Sequence, residues 1–280
     1  MTAVSIDEAL EQILAVLAHD PAGLFADFDG TLSPIAPVPE AAYLHPQARE
    51  VLPILKDQVP LFAVITGRST ENAIEKIGLT DLLYVGNHGL EWNDHGVYRA
   101  HPAGEAAASH ISAALAEIAQ DLTDAGIDQT GMVYENKRLS ASIHYRVATD
   151  PEATERILTP VAEQRAAEHG LQMTSGKMMV ELRPTASVSK GSAVEEIVRE
   201  RGLKAAIFLG DDITDVDAFR TIRTLREHGT IEAGLAVGVL SDDTKPEVIA
   251  ASDILVGNVE EVANLLTRLS ERLTADGATA

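Results

Sequence analysis

Two carboxylates lie two positions apart directly after a short apolar segment near the start of the chain. The stretch LFADFDGT, residues 24–31, carries Asp27 and Asp29. Burying a carboxylate is costly unless its charge is paired or binds a metal. A carboxylate can also attack phosphorus as a nucleophile, and a second one can transfer protons. The pair is therefore either a solvated strand end or a pair of catalytic acids.

Two further apolar segments end in polar residues in the same way. LFAVITGRS supplies one set and AIFLGDDITD the other, and a lysine precedes a helical pattern between them. The candidate residues are Thr66, Gly67, Arg68, Lys190, Asp211, Asp212 and Asp215. Acidic groups that meet in one crevice repel one another, so a hard cation is implied, and Mg²⁺ suits carboxylates combined with a phosphate. A lysine, a hydroxyl and backbone amides would hold phosphate oxygens, which predicts a phosphoryl-transfer site.

The elements that must position these residues alternate along the chain. Short apolar runs bounded by turn residues are typical of strands buried on both faces of a parallel sheet. Helical patterns cover 46–56, 70–77, 192–201 and 215–227, and LAVGVL and DILVGN read as two later strands. Alternating strands and helices predict an open α/β sheet, in which ligands bind beyond the carboxyl ends of the strands. The three polar strand ends are therefore expected to converge on one crevice.

The middle of the chain interrupts this pattern. An Ala-rich helix from about 104 to 124 is followed by the strand-like segments GMVYENK and SASIHYRVA. A second helix, 151–168, is followed by GLQMTSG and KMMVELRP. This order predicts a small α+β domain over 104–183, inserted into an α/β core domain over 1–103 and 184–280.

Composition limits the classes of partner. The chain has 280 residues, 45% of them hydrophobic, a net charge of −21 and no cysteine. This length is sufficient for a sizeable core. The negative charge argues against binding to nucleic acid or to an anionic membrane. Without cysteine there is no disulfide and no thiol nucleophile. The N-terminal segment has helical periodicity and no basic start, and nothing approaches the ~20 apolar residues of a membrane span. We expect a cytoplasmic protein.

This chain resembles the haloacid dehalogenase (HAD) superfamily of phosphatases, because four motifs occur in that superfamily's order. They are DFDGT, Thr66, Lys190-Gly191 and GDDITD. The resemblance implies a Rossmann-like HAD core with a parallel sheet and a smaller α+β cap domain inserted in it. It implies that Asp27 is the nucleophile, that Asp29 is the general acid and base, and that Thr66 and Lys190 bind the transferring phosphoryl group. The implied Mg²⁺ site involves Asp27, the backbone carbonyl of Asp29, Asp211, and Asp215 through water, and the role of Asp212 stays open between direct and indirect contact.

A narrower resemblance is to trehalose-6-phosphate phosphatases. It rests on DFDGTLSPI, GRS at 67–69, GNHGLE at 86–91, ENK with HYR, GKMMVELRP and GDDITDVDAF. Thr66 replaces a frequent Ser, and Val216 replaces an expected Glu. The resemblance implies Mg²⁺-dependent hydrolysis of trehalose 6-phosphate, a small-molecule substrate, as the last step of trehalose biosynthesis. A functional link to trehalose-6-phosphate synthase follows from the same resemblance.

The same resemblance implies sugar-binding residues in both domains. The core candidates are Gly67, Arg68, Asn87 and His88, and the cap candidates are Lys177 and Glu181, with Glu135 and Lys137 as weaker ones. Strand alternation would allow Lys177 and Glu181 to share one face. Two alternatives stay open: a related phosphatase for sucrose 6-phosphate or mannosyl-3-phosphoglycerate, and a non-catalytic sugar-phosphate sensor or synthase partner.

Overall fold

The computed structural model describes residues 2–277. The strands are β1 Ala22–Ala26, β2 Leu61–Ile65, β3 Leu83–Gly86, β4 Glu91–Asp94, β5 Val97–Ala100, β6 Val133–Asn136, β7 Ala141–His144, β8 Leu171–Gly176, β9 Met179–Pro184, β10 Ala205–Gly210, β11 Ala233–Val239 and β12 Ile254–Val256. The helices are α1 Ile6–Leu17, α2 Pro46–Leu55, α3 Thr70–Ile77, α4 Pro102–Asp124, α5 Pro151–Glu168, α6 Lys190–Arg201, α7 Ile213–Glu227, α8 Pro246–Ala251 and α9 Val259–Gly277. Two short 3₁₀ turns span Pro39–Ala41 and Asn87–Gly89.

The larger sheet has eight strands in the order β12-β11-β10-β1-β2-β3-β4-β5. The six strands from β12 to β3 are parallel to one another. From β1 the chain moves outward through β2 and β3 on one side, and later from β10 through β11 and β12 on the other. The strand order therefore switches at β1 and β10, which is where open α/β sheets bind ligands. The prediction of an α/β core with a parallel sheet is confirmed.

Local signals explain where the helices beside this sheet begin. The hydroxyl of Ser69 accepts a hydrogen bond from Asn72 N–H at the start of α3. Ser189 accepts one from Ser192 N–H at the start of α6. Such caps each contribute about 1 kcal/mol. The Ser189 cap makes α6 begin at Lys190, two residues before the position that its apolar pattern indicated.

The sequence patterns did not indicate strands β3, β4 and β5. β4 pairs antiparallel with β3, and β5 follows it at the edge of the sheet. β5 is largely exposed, and β4 and β5 are each only four residues long. An apolar alternation over so few residues is too weak to identify a strand, so only the pairing reveals this hairpin.

The chain divides into two compact units, and the second contains Ala36–Ala41 and Arg99–Ser187. Its antiparallel sheet has the order β6-β7-β9-β8. Helices α4 and α5 supply apolar side chains that form one core with alternate residues of the sheet, among them Ile111, Ile118, Ile143, Val180 and Leu182. The helix-strand-strand order therefore builds the α+β insert that the sequence predicted.

Among the helices of residues 2–277, none combines the length and apolar composition that crossing a membrane requires.

Candidate active site

Asp27 follows β1 at the point where the strand order switches. Its backbone N–H donates to Leu209 O at 2.9 Å, which ties the end of β1 to β10. Its carboxylate is buried, and Oδ1 accepts the N–H of Phe28 at 2.6 Å. Oδ2 lies 2.8 Å from Nζ of Lys190. The fold thus presents a buried carboxylate whose direction is set by one backbone amide and one ammonium group.

Lys190 is the first residue of α6 and is 1% exposed. Its ammonium group also contacts Asp215 Oδ1 at 2.6 Å. The other oxygen of Asp215 accepts the backbone N–H groups of Asp211 and Asp212, each at 2.9 Å. Burial alone lowers the pKa of Lys190, but the carboxylates of Asp215 and Asp27 raise it above its ordinary value. The lysine is therefore held as a cation between two acids.

Asp27, Asp211 and Asp215 form a cluster in which one oxygen from each lies within 4.8 Å of the others. Gly30 allows this cluster to form, because a Cβ at that position would lie 2.2 Å from the Asp211 carboxyl group. Burial, followed by the negative charges of Asp215 and Asp211, raises the pKa of Asp27 well above its usual range despite the opposing effect of Lys190. Three buried acids beside one ammonium group suit an additional hard cation with oxygen ligands.

Asp29 has a different partner. Arg68 donates from Nε to its Oδ2 at 2.6 Å and from a terminal nitrogen to its Oδ1 at 2.8 Å. The other terminal nitrogen donates to Asn72 Oδ1 at 2.7 Å. The guanidinium carbon lies 5.3 Å from the ring centre of Phe28. The Asp29 side chain is thus engaged in a two-point ion pair, outside the three-carboxylate cluster. Asp212 is half-buried at the start of α7 and is also outside that cluster.

The ends of β2 and β3 are joined by backbone hydrogen bonds. Asn87 N–H donates to Arg68 O, and His88 N–H donates to Thr66 O at 3.0 Å. Thr66 is buried, and its hydroxyl accepts Arg68 N–H at 3.3 Å. A Cβ at Gly67 would lie 2.5 Å from Nε2 of His88, so the imidazole ring lies directly over that glycine. These five residues are therefore fixed as one polar surface beside β1.

Glu91 holds this surface together. Its Oε1 accepts the N–H of Thr70 at 2.6 Å and the side-chain amide of Asn87 at 3.0 Å, and its Oε2 accepts Tyr98 O–H at 2.9 Å. The carboxylate is buried and lies at the N-terminus of α3, where the helix dipole favours negative charge. The motif GNHGLE contained this residue, but only the contacts show what it does.

Polar side chains of the second unit, with the candidates Glu135 and Glu181 among them, share one face of its small sheet. Glu135, Ser142, Glu181 and Thr174 are directly opposite one another on β6, β7, β9 and β8. Because side chains alternate along a strand, they face away from the apolar core of that unit. Lys137 Nζ lies 3.1 Å from Glu181 Oε1, and both side chains are buried. The sheet thus carries a row of polar groups around one buried ion pair.

Further contacts complete this polar face. Ser140 donates to Glu181 Oε1 at 3.3 Å, and His144 Nε2 lies 3.2 Å from Glu135 Oε2. Lys177 lies in the turn between β8 and β9, where its carbonyl accepts Arg146, so it does not share a strand with Glu181 as alternation suggested. Among residues 2–277, Ser142 is one of few whose buried hydroxyl has no hydrogen-bond partner, and periodicity alone did not single it out.

The comparisons with known proteins agree with this geometry. A family model described as trehalose-phosphatase matches residues 25–248. The trehalose-phosphate phosphatase of Mycobacterium bovis (strain BCG / Pasteur 1173P2) is 36% identical over 223 residues, which cover 77% of this chain and 54% of that protein. The chain thus spans about half the length of this curated relative.

Two solved structures have the same fold. The C-terminal domain of the trehalose-6-phosphate phosphatase of Candida albicans superposes with a TM-score of 0.76 at 19% identity, covering 96% of this chain and 97% of that one. The C-terminal domain of the trehalose synthase regulatory protein of the same organism gives a TM-score of 0.69 at 10% identity, covering 95% and 99%. The family model and the mycobacterial relative together show that this chain belongs to the trehalose-phosphatase family of the HAD superfamily.

Proposed function

We propose that the protein hydrolyses trehalose 6-phosphate to trehalose and phosphate through an aspartyl-phosphate intermediate on Asp27. The observation that carries this proposal is the buried Asp27 carboxylate, held 2.8 Å from the ammonium group of Lys190 within the cluster formed with Asp211 and Asp215. A carboxylate in such a site is oriented for attack, and its cationic neighbour neutralises charge that develops on the phosphoryl oxygens.

In the first step an Asp27 oxygen attacks phosphorus, and the bond from phosphorus to the sugar oxygen breaks. Asp29, two residues away on the same loop, donates a proton to the leaving sugar oxygen. The Thr66 hydroxyl and Lys190 bind the phosphoryl oxygens during the transfer. Both residues are almost fully buried, which supports this assignment because hydrogen bonds and charge interactions are stronger away from water.

In the second step Asp29 accepts a proton from a water molecule, whose oxygen attacks the phosphorus of the aspartyl phosphate. The bond between Asp27 and phosphorus breaks, phosphate leaves, and both carboxyl groups return to their starting forms. One residue thus acts first as acid and then as base.

The cation proposed for the three-carboxylate cluster is Mg²⁺. Asp27, Asp211 and the backbone carbonyl of Asp29 would hold it, with Asp215 acting through water because its oxygens already bind Lys190 and two backbone amides. When bound, Mg²⁺ supplies positive charge for the phosphate oxygens. The raised pKa of Asp27 supports the presence of a bound cation, because a nearby positive charge would favour the ionised carboxylate that attacks phosphorus.

The sugar-binding role is assigned to the polar face of the small sheet and to the core residues Gly67, Asn87 and His88. Lys137, Glu181, Glu135 and Lys177 offer charged donors and acceptors, which fix sugar hydroxyls by hydrogen bonds. This chemistry fits sucrose 6-phosphate as well as trehalose 6-phosphate, so the substrate preference rests on family membership. The link to trehalose-6-phosphate synthase and a cytoplasmic location remain predictions.

A non-catalytic sugar-phosphate sensor is the second candidate. The fold does not exclude it, because the Candida albicans regulatory protein domain has the same fold. The presence of Asp27, Asp29 and Lys190 favours the enzyme, since a sensor needs neither a nucleophile nor a proton donor.

The deciding experiment measures phosphate release from trehalose 6-phosphate, sucrose 6-phosphate, glucose 6-phosphate and mannosyl-3-phosphoglycerate, with Mg²⁺ and with a chelator. We expect a strong preference for trehalose 6-phosphate, which is lost on chelation and in Asp27→Asn. Asp253→Asn is the control, because Asp253 binds Ala236 N–H and Arg223 at the far end of the sheet. Calorimetric titration with Mg²⁺ alone should show weaker binding in Asp211→Asn.

Two other results of this experiment would change the proposed function. Metal-dependent turnover of another sugar phosphate would retain the chemistry and replace the substrate. Binding of trehalose 6-phosphate without turnover by the folded, Mg²⁺-loaded protein would establish the sensor instead.

A further inference from the structure

Arg68 is placed to act on Asp29 rather than on the sugar. Of its three guanidinium nitrogens, Nε and one terminal nitrogen bind the two Asp29 oxygens at 2.6 and 2.8 Å. The third donates to Asn72 Oδ1 at 2.7 Å, and Asn72 belongs to the first turn of α3. Side-chain exposure is 10% for Arg68 and 32% for Asp29. The planar fork therefore joins the acid to a helix, which is a rigid support.

This arrangement holds both carboxyl oxygens of Asp29. A fork that donates to both oxygens fits a carboxylate, whereas a carboxylic acid must use one oxygen to carry its proton. In the proposed reaction Asp29 becomes a carboxylate when it has protonated the leaving oxygen, and it must remain one until water is activated. The observed fork therefore fits the carboxylate that Asp29 becomes between the two steps.

We infer that Arg68 is a positioning residue that stabilises and aims the Asp29 carboxylate for the hydrolysis of the aspartyl phosphate. The inference rests on the proposed phosphatase chemistry and goes beyond it, because it assigns Arg68 to the second step instead of to substrate binding. The balance of atoms is unchanged: water gives a proton to Asp29 and an oxygen to phosphorus, and the bond to Asp27 breaks. To donate a proton in the next cycle, Asp29 gives up one of its two bonds to Arg68.

The two steps respond differently to the loss of Arg68. p-Nitrophenyl phosphate has a good leaving group that needs little protonation, so attack by Asp27 stays fast without an aimed Asp29. Hydrolysis of the intermediate still requires Asp29 as a base. In Arg68→Gln we therefore expect a burst of close to one nitrophenol molecule per active site, followed by a steady-state rate lowered about tenfold or more. Phosphorylated protein should accumulate and be detectable by intact-protein mass spectrometry. Arg68→Lys keeps the charge without the fork and should give an intermediate result.

A double-mutant cycle tests whether Arg68 acts through Asp29. In the Asp29→Asn background the further change Arg68→Gln should alter the hydrolysis rate less than twofold, because coupled residues are not additive. Arg49→Gln is the matched control. Arg49 donates to the carbonyls of Lys76 and Ile77 at the C-terminus of the same helix, α3. This variant should show lower thermal stability without accumulating phosphorylated protein.

Several results would overturn the inference. One is that Arg68→Gln slows both steps equally and gives no burst. Another is that Arg68→Gln turns over as fast as the wild-type protein. A third is that the effects of Arg68→Gln and Asp29→Asn on the hydrolysis rate are additive. If Arg68→Gln does not fold, Arg68→Lys and Asn72→Ala provide the same readouts. Failure of the proposed function is a separate outcome, seen when the wild-type protein turns over neither trehalose 6-phosphate nor p-nitrophenyl phosphate. Turnover of the aryl ester alone would replace the substrate and leave the inference testable.

Discussion

Asp27 and Asp29 are identical side chains on one loop, and their partners give them different chemistry. Asp27 is buried with an ammonium group and two further acids. Asp29 is partly exposed and bound by the guanidinium fork of Arg68. Separate environments are how paired carboxylates divide the roles of nucleophile and proton carrier. The chemical role of each aspartate therefore depends more on the cation beside it than on the residue type.

Gly30 provides a test at the residue scale. Its φ is +79°, and a Cβ would lie 2.2 Å from the Asp211 carboxyl group. Gly30→Ala should therefore displace Asp211, lowering kcat/KM about 100-fold and weakening Mg²⁺ binding measured by calorimetry. Gly96→Ala is the matched control, because φ is +86° there and nothing lies within 4 Å of the added Cβ. It should lower the unfolding free energy by about 1 kcal/mol and leave kcat/KM unchanged. Equal activity of the two variants would contradict the steric argument.

At the scale of elements, the site depends on the turn that joins β3 to β4. Asn87, His88 and Gly89 have φ values of 49°, 56° and 110°, so three consecutive residues lie in the left-handed region. Such backbone is costly for residues with a Cβ and persists only where the surroundings impose it. The buried Glu91 carboxylate does so, because it binds the Asn87 side chain and the first amide of α3 at once.

Removing the Glu91 carboxylate should destabilise both the turn between β3 and β4 and the start of α3. Glu91→Ala leaves the buried donors of Thr70 and Asn87, and the partly exposed hydroxyl of Tyr98, without the acceptor they now use. We expect the free energy of unfolding in urea to fall by about 3 kcal/mol, since each unsatisfied buried donor costs about 1–3 kcal/mol. Tyr98→Phe removes one of these donors only and should cost about 1 kcal/mol. A loss in Glu91→Ala no larger than in Tyr98→Phe would show that Glu91 does not brace the turn.

The small sheet offers a second test at this scale. Glu181→Gln removes the charge from a buried acceptor of Lys137 and Ser140. If this face binds the sugar, KM for trehalose 6-phosphate should rise about tenfold. The value of kcat/KM for trehalose 6-phosphate should also fall relative to the value for p-nitrophenyl phosphate, which has no sugar. The control is Glu105→Gln, which removes an exposed ion pair with Arg138 in the same unit. A constant ratio in Glu181→Gln would remove this residue from the sugar site.

At the scale of the whole molecule, charge opposes the proposed substrate. The chain carries a net charge of −21, and a phosphate monoester is also an anion. Each of the two cations at the site, Lys190 and Arg68, is already bound to aspartate. The long-range field should therefore repel the substrate, and the attraction must come from short-range groups and from the metal.

Ionic strength tests this balance. Raising NaCl from about 0.01 to 0.15 M at saturating Mg²⁺ shortens the Debye length from about 30 to about 8 Å. Screening of the repulsion should raise kcat/KM for trehalose 6-phosphate roughly twofold. Potassium acetate in place of NaCl controls for specific chloride effects. A steep fall in kcat/KM would mean that a positive local field, rather than the net charge, governs encounter with the substrate.

Sequence patterns predicted most of the elements and the chemistry of their ends. Short apolar runs before Asp27, Thr66 and Asp211 identify buried strands because hydrophobic periodicity is a local property. Order along the chain then indicated a parallel sheet with its polar ends on one edge. Strands β3, β4 and β5 were not predicted because each has only four residues, too few to show a clear period.

The tertiary structure alone decided which side chains meet. Arg68 and Asp29 are 39 residues apart, and no local pattern indicates that the arginine binds the acid rather than the sugar. Glu91 and Ser142 likewise acquire their surroundings from neighbouring strands and from a helix start that are not adjacent in sequence. Contacts between distant segments depend on how the strands align and how the helices pack, whereas sequence patterns report the conformation of one segment at a time. Most of the elements could therefore be predicted from the chain, but the pairing of charges within the site could not.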